Sequence, residues 1–156
     1  MFRGINAISL DGKGRLALPA KYRERLIAAC AGHLVITIDP TNALREPCLL
    51  LYPLPEWEAI QEKIDTLSSF NPVSRKVQRL LVGHADDVVM DGNGRILIPQ
   101  ALREFARMDK RVVLVGQGKK FELWDEATWE DSRRAWLEEA VNENAALPAE
   151  LDSLSL

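Results

Sequence analysis

Two stretches of five residues, Asp11-Gly12-Lys13-Gly14-Arg15 and Asp91-Gly92-Asn93-Gly94-Arg95, hold the residue types in this chain best suited to meeting another molecule. The Asp that opens each stretch can accept hydrogen bonds from the turn it starts. The two glycines permit positive φ and let the backbone come close to a ligand. The Arg that ends it presents a planar fork of donors that fits phosphate oxygens or a guanine edge. The same residues also allow a structural reading, an Asp–Arg ion pair over a glycine turn, and a motif this short recurs by chance. Lys13 adds a cation at the tip of the first stretch, whereas Asn93 at the same place in the second is neutral.

Both stretches must be positioned by their flanks, and the flanks repeat as well. At an offset of 80 residues, Leu16, Leu18 and Pro19 fall on Ile96, Ile98 and Pro99, and Arg23 and Glu24 fall on Arg103 and Glu104. INAISL and ADDVVM both bring apolar residues up to Asp-Gly, the strongest short-range hairpin signal. RLAL and RILI leave the turn as short strands, and each Pro sits where it favours a first helical turn. AKYRERLIAAC places Tyr22, Leu26 and Cys30 on one helical face, and QALREFARM does so with Leu102, Phe105 and Ala106. HLVITI answers RVVLVG, and LLLYPLPEW answers FELWDEATW, ending in Trp57 and Trp129; the first half carries the extra residues DPTNALREP. The spacing predicts four short strands and one helix per repeat. A unit of about 50 residues buries too little apolar surface to be secure alone. Two copies are therefore expected to share one core about a pseudo-twofold axis and to present two related tips.

Between the repeats, Trp57, Ile60, Ile64 and Leu67 are spaced as one helical face. Asn71-Pro72 reads as the cap and first-turn Pro of a second helix, with Val73, Val77, Leu80 and Leu81 inward and Arg75, Lys76 and Arg79 outward. A third helix carries Trp129, Trp136 and Ala140 along one stripe and leads into a loosely docked end. The chain divides into a first repeat at 1–54, a helical linker at 55–82, a second repeat at 83–128, and a C-terminal helix with an acidic tail at 129–156.

The net charge of −3 over 156 residues conceals an asymmetry. From Glu122 onward ten acids face two bases, which leaves 13 acids against 18 bases in residues 1–121. A body near +5 with an acidic end keeps nucleic acid open as a partner, because binding follows the local patch. Cys30 and Cys48 have no CxxC spacing; a disulfide is conceivable, but two buried or half-buried thiols in a reducing compartment suit the composition better. No signal peptide or apolar run of membrane-spanning length is visible. His33 and His84 lack an acid/base partner at a recognised spacing and read as structural. The four Trp read as core or subunit interface before base-stacking platforms.

With these features in place, the chain resembles the MraZ family. The resemblance rests on the start MFRG, both D-x-x-x-R motifs, LLLYPLPEW, NPVSRKVQRLLVGHA and GRILIP, and runs from Met1 to about Glu143. It implies an α+β, mostly β fold: two tandem AbrB-like swapped-hairpin repeats forming a pseudo-twofold β-barrel core with flanking helices. It also implies a sequence-specific DNA-binding transcriptional regulator, a repressor of the division and cell wall gene cluster that includes its own gene. Such a protein binds repeated elements of double-stranded promoter DNA as a ring-shaped homo-oligomer, in the cytoplasm and associated with the nucleoid. Carried onto this sequence, DNA contact falls on Arg15 and Arg95, with Asp11 and Asp91 shaping the turn or holding the guanidinium. Lys13 and Asn93 stand at the tips, and Arg3 precedes the first motif. Asp86 and Asp87 precede the second, so the first hairpin is expected to attract DNA more strongly.

No catalytic residue, cofactor, metal, membrane or small-molecule substrate is expected. A non-enzymatic interaction oligomer, its hairpins packed on other subunits, is the alternative. An enzyme whose tips cradle phosphate is the third class. It has the least support, since neither tip is G-x-x-x-x-G-K-[ST] or G-x-G-x-x-G.

Overall fold

Leu16, Leu18, Ile96 and Ile98 decide how the two repeats meet. They lie on or just past strands too short to hold a hairpin by themselves, yet all four are fully buried. The computed structural model, which describes residues 1–141 and Leu154, shows how that burial is reached. The described elements run β1 (Phe2–Ser9), β2 (Arg15–Ala17), α1 (Ala20–Cys30), β3 (His33–Ile38), β4 (Leu49–Pro53), α2 (Leu54–Asp65) and α3 (Pro72–Val77). A π-helical turn at Gln78–Val82 follows, then β5 (Asp86–Val89), β6 (Arg95–Leu97), α4 (Gln100–Phe105), β7 (Arg111–Gly118), β8 (Phe121–Asp125) and α5 (Glu126–Val141). The protein is α+β and sheet-rich, with each repeat's four strands and one helix in the expected order. Apart from Leu154, the acidic end of the chain beyond α5 lies outside the described residues.

The strands joined by each Asp-Gly turn do not pair with one another. β2 pairs antiparallel with β6 of the other repeat, Leu16 directly opposite Ile96. The Leu18 N–H donates to the Gly94 carbonyl (2.8 Å) and the Ile98 N–H to the Gly14 carbonyl (2.9 Å), so each short strand is locked to the other repeat's turn. β1 pairs with β7, Ile8 opposite Val112, and β5 pairs with β3, Val88 opposite Leu34. The larger sheet is antiparallel with order β1-β7-β8-β4-β3-β5, an order unchanged when the repeats are interchanged. Its central pair sets Leu50 opposite Glu122. The local hairpin expectation is thus corrected: the turns reverse the chain, but pairing is exchanged between repeats. A three-residue strand has few ladder bonds to offer, and exchange lets Leu16 and Ile96 bury the same face. Among the described residues, the ladders form an open six-stranded sheet and a separate two-stranded ribbon.

One face of the large sheet forms the main core. There Ile36, Leu51, Leu114 and Leu123 meet the ribbon's Leu16 and Ile96 and the buried faces of α1 and α4. Tyr22, Leu26, Leu102 and Ala106 are buried as their spacing predicts, with Cys30 and Phe105 packed at the margin. The other face is covered by two helices in corresponding places. α2 sets Trp57 on Val35, Leu50 and Tyr52, and α5 sets Trp129 and Trp136 on Cys48, Val113 and Trp124. The indoles of Trp124, Trp129 and Trp136 meet edge to face with centroids 5.6 to 5.8 Å apart. Ala140 is exposed, so that stripe ends at Trp136.

The linker departs from expectation. Leu67 lies past the end of α2 and is exposed, and Val73 and Leu80 face solvent rather than core. For Leu80 the π turn is the reason: its i→i+5 spacing shifts the apolar face, so that Leu81, inward as expected, and Val82 pack under α2, whereas Val73 stands in the first turn of α3 before it. The Thr37 hydroxyl donates to the Leu81 carbonyl (2.7 Å), anchoring the turn to β3. Asn71 does cap α3, its Oδ1 accepting from the Val73 N–H (2.9 Å). Arg75, Lys76 and Arg79 are exposed, on the outward side as expected. Cys30 and Cys48 are free thiols. Burial, then the nearby Glu122 and Asp39 carboxylates, pushes the Cys48 thiol above its ordinary range. No described helix is long and apolar enough to cross a membrane.

Leu16→Ala and Ile96→Ala should each cost about 2–5 kcal/mol in urea unfolding, as large-to-small changes in a packed core do. The double variant should depart from additivity by roughly 0.5–3 kcal/mol, because the two side chains share one contact. Additive costs would mean that the ribbon does not couple the repeats.

Candidate nucleic-acid interface

Each Asp-Gly turn is built around its carboxylate. Asp11 Oδ1 accepts from the backbone N–H of Lys13 (2.9 Å) and of Arg15 (2.9 Å), and Oδ2 accepts from Arg15 Nε (2.8 Å). Asp91 repeats the pattern with the N–H of Asn93 (2.9 Å), that of Arg95 (2.9 Å), and Arg95 Nε (3.0 Å). The Arg15 backbone N–H, with further bonds from the Arg15 side chain and the Lys13 N–H, holds the Asp11 carboxyl down at about 2. Asp91 is lowered in the same way, first by the Arg95 backbone N–H. Both carboxylates therefore stay ionised at any physiological pH. The clasp between Asp and Arg is real, but it is partly exposed in both repeats, and exposed pairs add little stability. It uses Nε alone, and the described hydrogen bonds leave the outer nitrogens of both guanidinium groups unengaged.

The ribbon brings the two clasps together. Side chains alternate along a strand, so the burial of Leu16 and Ile96 turns Arg15, Ala17, Arg95 and Leu97 to the outer face. Arg15 faces Leu97 and Arg95 faces Ala17, which makes the two Arg diagonal neighbours about 7–8 Å apart. The tips carrying Lys13 and Asn93 extend from opposite ends of this surface, both exposed.

Gly14 has φ +85° and Gly94 φ +75°, the left-handed region that favours glycine. A Cβ on Gly14 would also run into the Arg103 guanidinium, and one on Gly94 into Arg23. Gly12 and Gly92 lie outside that region with open space around them, so only one glycine of each tip is required by its conformation. The crossing places Arg23 and Arg103 under the tip of the other repeat. Arg23 Nε donates to the Leu18 carbonyl (2.7 Å) and Arg103 Nε to the Ile98 carbonyl (3.0 Å), which tethers both. Sequence reasoning used this pair only to align the repeats, although their recurrence was itself a signal.

Three residues expected to bear on the tips, for or against, are not brought to them. Arg3 lies near the start of β1; eight residues of extended chain separate it from Asp11, roughly 26 Å at strand rise. Asp86 and Asp87 lie at the far end of β5. From Asp86 to Asp91 is roughly 17 Å of strand, beyond a Debye length of about 8 Å in physiological salt. The difference between the two tips rests on Lys13 against Asn93. His33 is exposed, and His84 Nδ1 meets the Leu80 carbonyl (2.8 Å), away from the ribbon.

Fold and site together define a class: a two-repeat, strand-exchanged chain that presents paired Asp–Arg clasps on one short ribbon. The chain belongs to the MraZ family; the family model described as "MraZ protein, putative antitoxin-like" matches residues 1–80 and again 81–147. Over all 156 residues and the full length of each relative, it is 56% identical to a protein of Nitrosospira multiformis. At the same coverage it is 53% identical to proteins of Halorhodospira halophila and Pseudomonas aeruginosa. Each of these relatives bears the name "Transcriptional regulator MraZ".

Gly14→Ala should destabilise by about 1–3 kcal/mol through strain at positive φ, while Gly12→Ala should stay within roughly 0.5 kcal/mol of the parent; equal effects in urea titrations would contradict this division. In a carboxyl NMR titration Asp11 should show a midpoint near 2 rather than the ordinary 3.8. The hold it provides is complete above the ordinary value and lost as pH falls through the lowered one. The Lys13 and Arg15 amide shifts should therefore be constant from neutrality to pH 4 and change together only below it.

Proposed function

We propose that this chain is a sequence-specific DNA-binding regulator of transcription, with Arg15 and Arg95 as the base- or phosphate-contacting residues. One observation carries the reading: both guanidinium groups share the exposed face of the β2·β6 ribbon, oriented by Asp11 and Asp91 through Nε, with their outer nitrogens available. That is how an Arg must be held to offer two parallel donors to guanine O6 and N7 or to a phosphate. Lys13 adds phosphate attraction at the first tip, and Arg23 and Arg103 raise the positive potential beneath both. In this reading the ribbon and the large sheet enclose one barrel-like core, the repeats keep the division 1–54 and 83–128, and Arg3 serves at most a peripheral phosphate. The protein acts in the cytoplasm at the nucleoid and has no enzymatic step.

By likeness to its family, the regulated genes are the division and cell wall cluster, its own gene included, and the effect is repression. A single ribbon spans only a few base pairs, so useful affinity requires several copies on repeated promoter elements, which linked sites supply without new contacts. A ring-shaped homo-oligomer meets that need. The linker's Phe70, 97% exposed, and Val73, 68% exposed, offer apolar surface for contact between copies.

A mobility-shift titration against the upstream DNA of its own gene tests the reading, run with melting and light scattering on the same samples. Arg15→Ala should abolish specific binding, each lost bidentate contact costing about 1–3 kcal/mol and recurring in every copy. Arg15→Lys should keep nonspecific affinity while losing specificity, and Arg95→Ala should be milder than Arg15→Ala because Asn93 leaves its tip uncharged. Melting and oligomer size should barely change. DNA binding that survives Arg15→Ala and Arg95→Ala together, or an oligomer that falls apart in them, would favour hairpins that pack on other subunits.

A further inference from the structure

On the outer face of the large sheet, three side chains distant in sequence converge: Asp39 just after β3, Cys48 just before β4, and Glu122 in β8. One ligand atom from each lies within 4.8 Å of the others. Cys48 is 1% exposed, and among the described residues its thiol makes one hydrogen bond, a long one donated from Sγ to Asp39 Oδ2 at 3.8 Å. The carboxylates are held by neutral donors. Asp39 Oδ1 accepts from the Thr41 N–H (2.8 Å) and Glu122 Oε1 from Trp124 Nε1 (3.1 Å), while Glu46 Oε1 close by accepts from Trp136 Nε1 (3.2 Å). None of the three carboxylates forms an ion pair among the described residues. A cavity of about 230 Å³ opens onto Asp39, Glu46 and Glu122. Three half-buried acids stand beside a fully buried thiol, each oriented but none in an ion pair among the described residues, an arrangement open to a cation.

We propose that this cluster binds a thiophilic divalent metal ion of the Zn²⁺ type through Cys48 Sγ, Asp39 Oδ2 and a Glu122 carboxylate oxygen. One sulfur and two oxygens with a water from the cavity make a four-coordinate set that suits a borderline-soft ion. Ca²⁺ and Mg²⁺ instead require six or more oxygens. As the metal–sulfur bond forms, the thiol proton leaves to cavity water. Two carboxylates and a neutral thiol, together −2, become a complex of net −1, so binding relieves part of the buried charge. Trp124 and Thr41 act as the outer partners that fix the ligating oxygens. Bound metal would tie the DPTNALREP loop to β8 beneath α5. The cluster lies on the sheet face opposite the ribbon, so this site is independent of DNA contact. It departs from the expectation of no metal, which rested on chain spacing alone.

Full-length protein, treated with chelator and then titrated with Co²⁺, should show a thiolate-to-cobalt charge-transfer band at one equivalent, with quenched Trp fluorescence, and Zn²⁺ should displace it. Cys48→Ala should lose the band and Cys30→Ala should keep it. Asp39→Asn and Glu122→Gln should each weaken binding at least about tenfold, the least that losing even an outer partner costs. Absence of the band in the parent protein, or its persistence in Cys48→Ala, overturns the proposal. Should Cys48→Ala fail to fold, unchanged affinity in both Asp39→Asn and Glu122→Gln overturns it equally.

Discussion

The contact of Leu16 with Ile96 is the constraint from which the rest of the arrangement follows. Three-residue strands cannot stand as hairpins, and their apolar residues must nonetheless leave water. Setting the same position of two repeats face to face solves both difficulties. It fixes the symmetry axis, the partners of β1 and β5, and the side of the ribbon on which the Arg residues emerge. The hydrogen bonds from Leu18 to Gly94 and from Ile98 to Gly14 then carry each turn into the other repeat's structure. A change at one tip is therefore felt in the frame of the other.

Because both halves lie on one chain, the symmetry is approximate, and the departures fall where a ligand would notice them. The two tips share their carboxylate clasps nearly atom for atom, but one ends in Lys13 and the other in Asn93. On the far side of the sheet, the axis places Leu50 against Glu122, an apolar residue against an acid. A strict homodimer reads palindromes, since operator symmetry mirrors protein symmetry. A single chain with unequal tips has a direction instead.

The parts of the structure that depend on neighbours in sequence were legible beforehand. Tyr22, Leu26, Leu102 and Ala106 bury where helical spacing puts them, and the Asp-Gly turns fall where the motif places them. Nonlocal features were not. Nothing within RLAL states that its partner is RILI, 80 residues on, rather than the strand before it. The inward face assigned to Leu80 failed because the wider π turn at Gln78–Val82 rotated it, which periodicity cannot register. Gly12 and Gly14 look alike as letters, and only the folded backbone's positive φ at Gly14 and the approach of Arg103 separate them. Asp39, Cys48 and Glu122 belong to three different elements, so no spacing rule unites them.

Strand exchange also sets a timetable for biosynthesis. β1 is among the first segments made, yet its partner β7 is complete only with Gly118. At about 5–20 residues per second, the ribosome leaves β1 without its partner for roughly 5–20 s. During that interval the chain carries an unpaired strand that includes Phe2 and Ile8, and unpaired strand edges pair wrongly with neighbours. The arrangement that makes the finished protein self-contained thus makes its nascent first half dependent on the second.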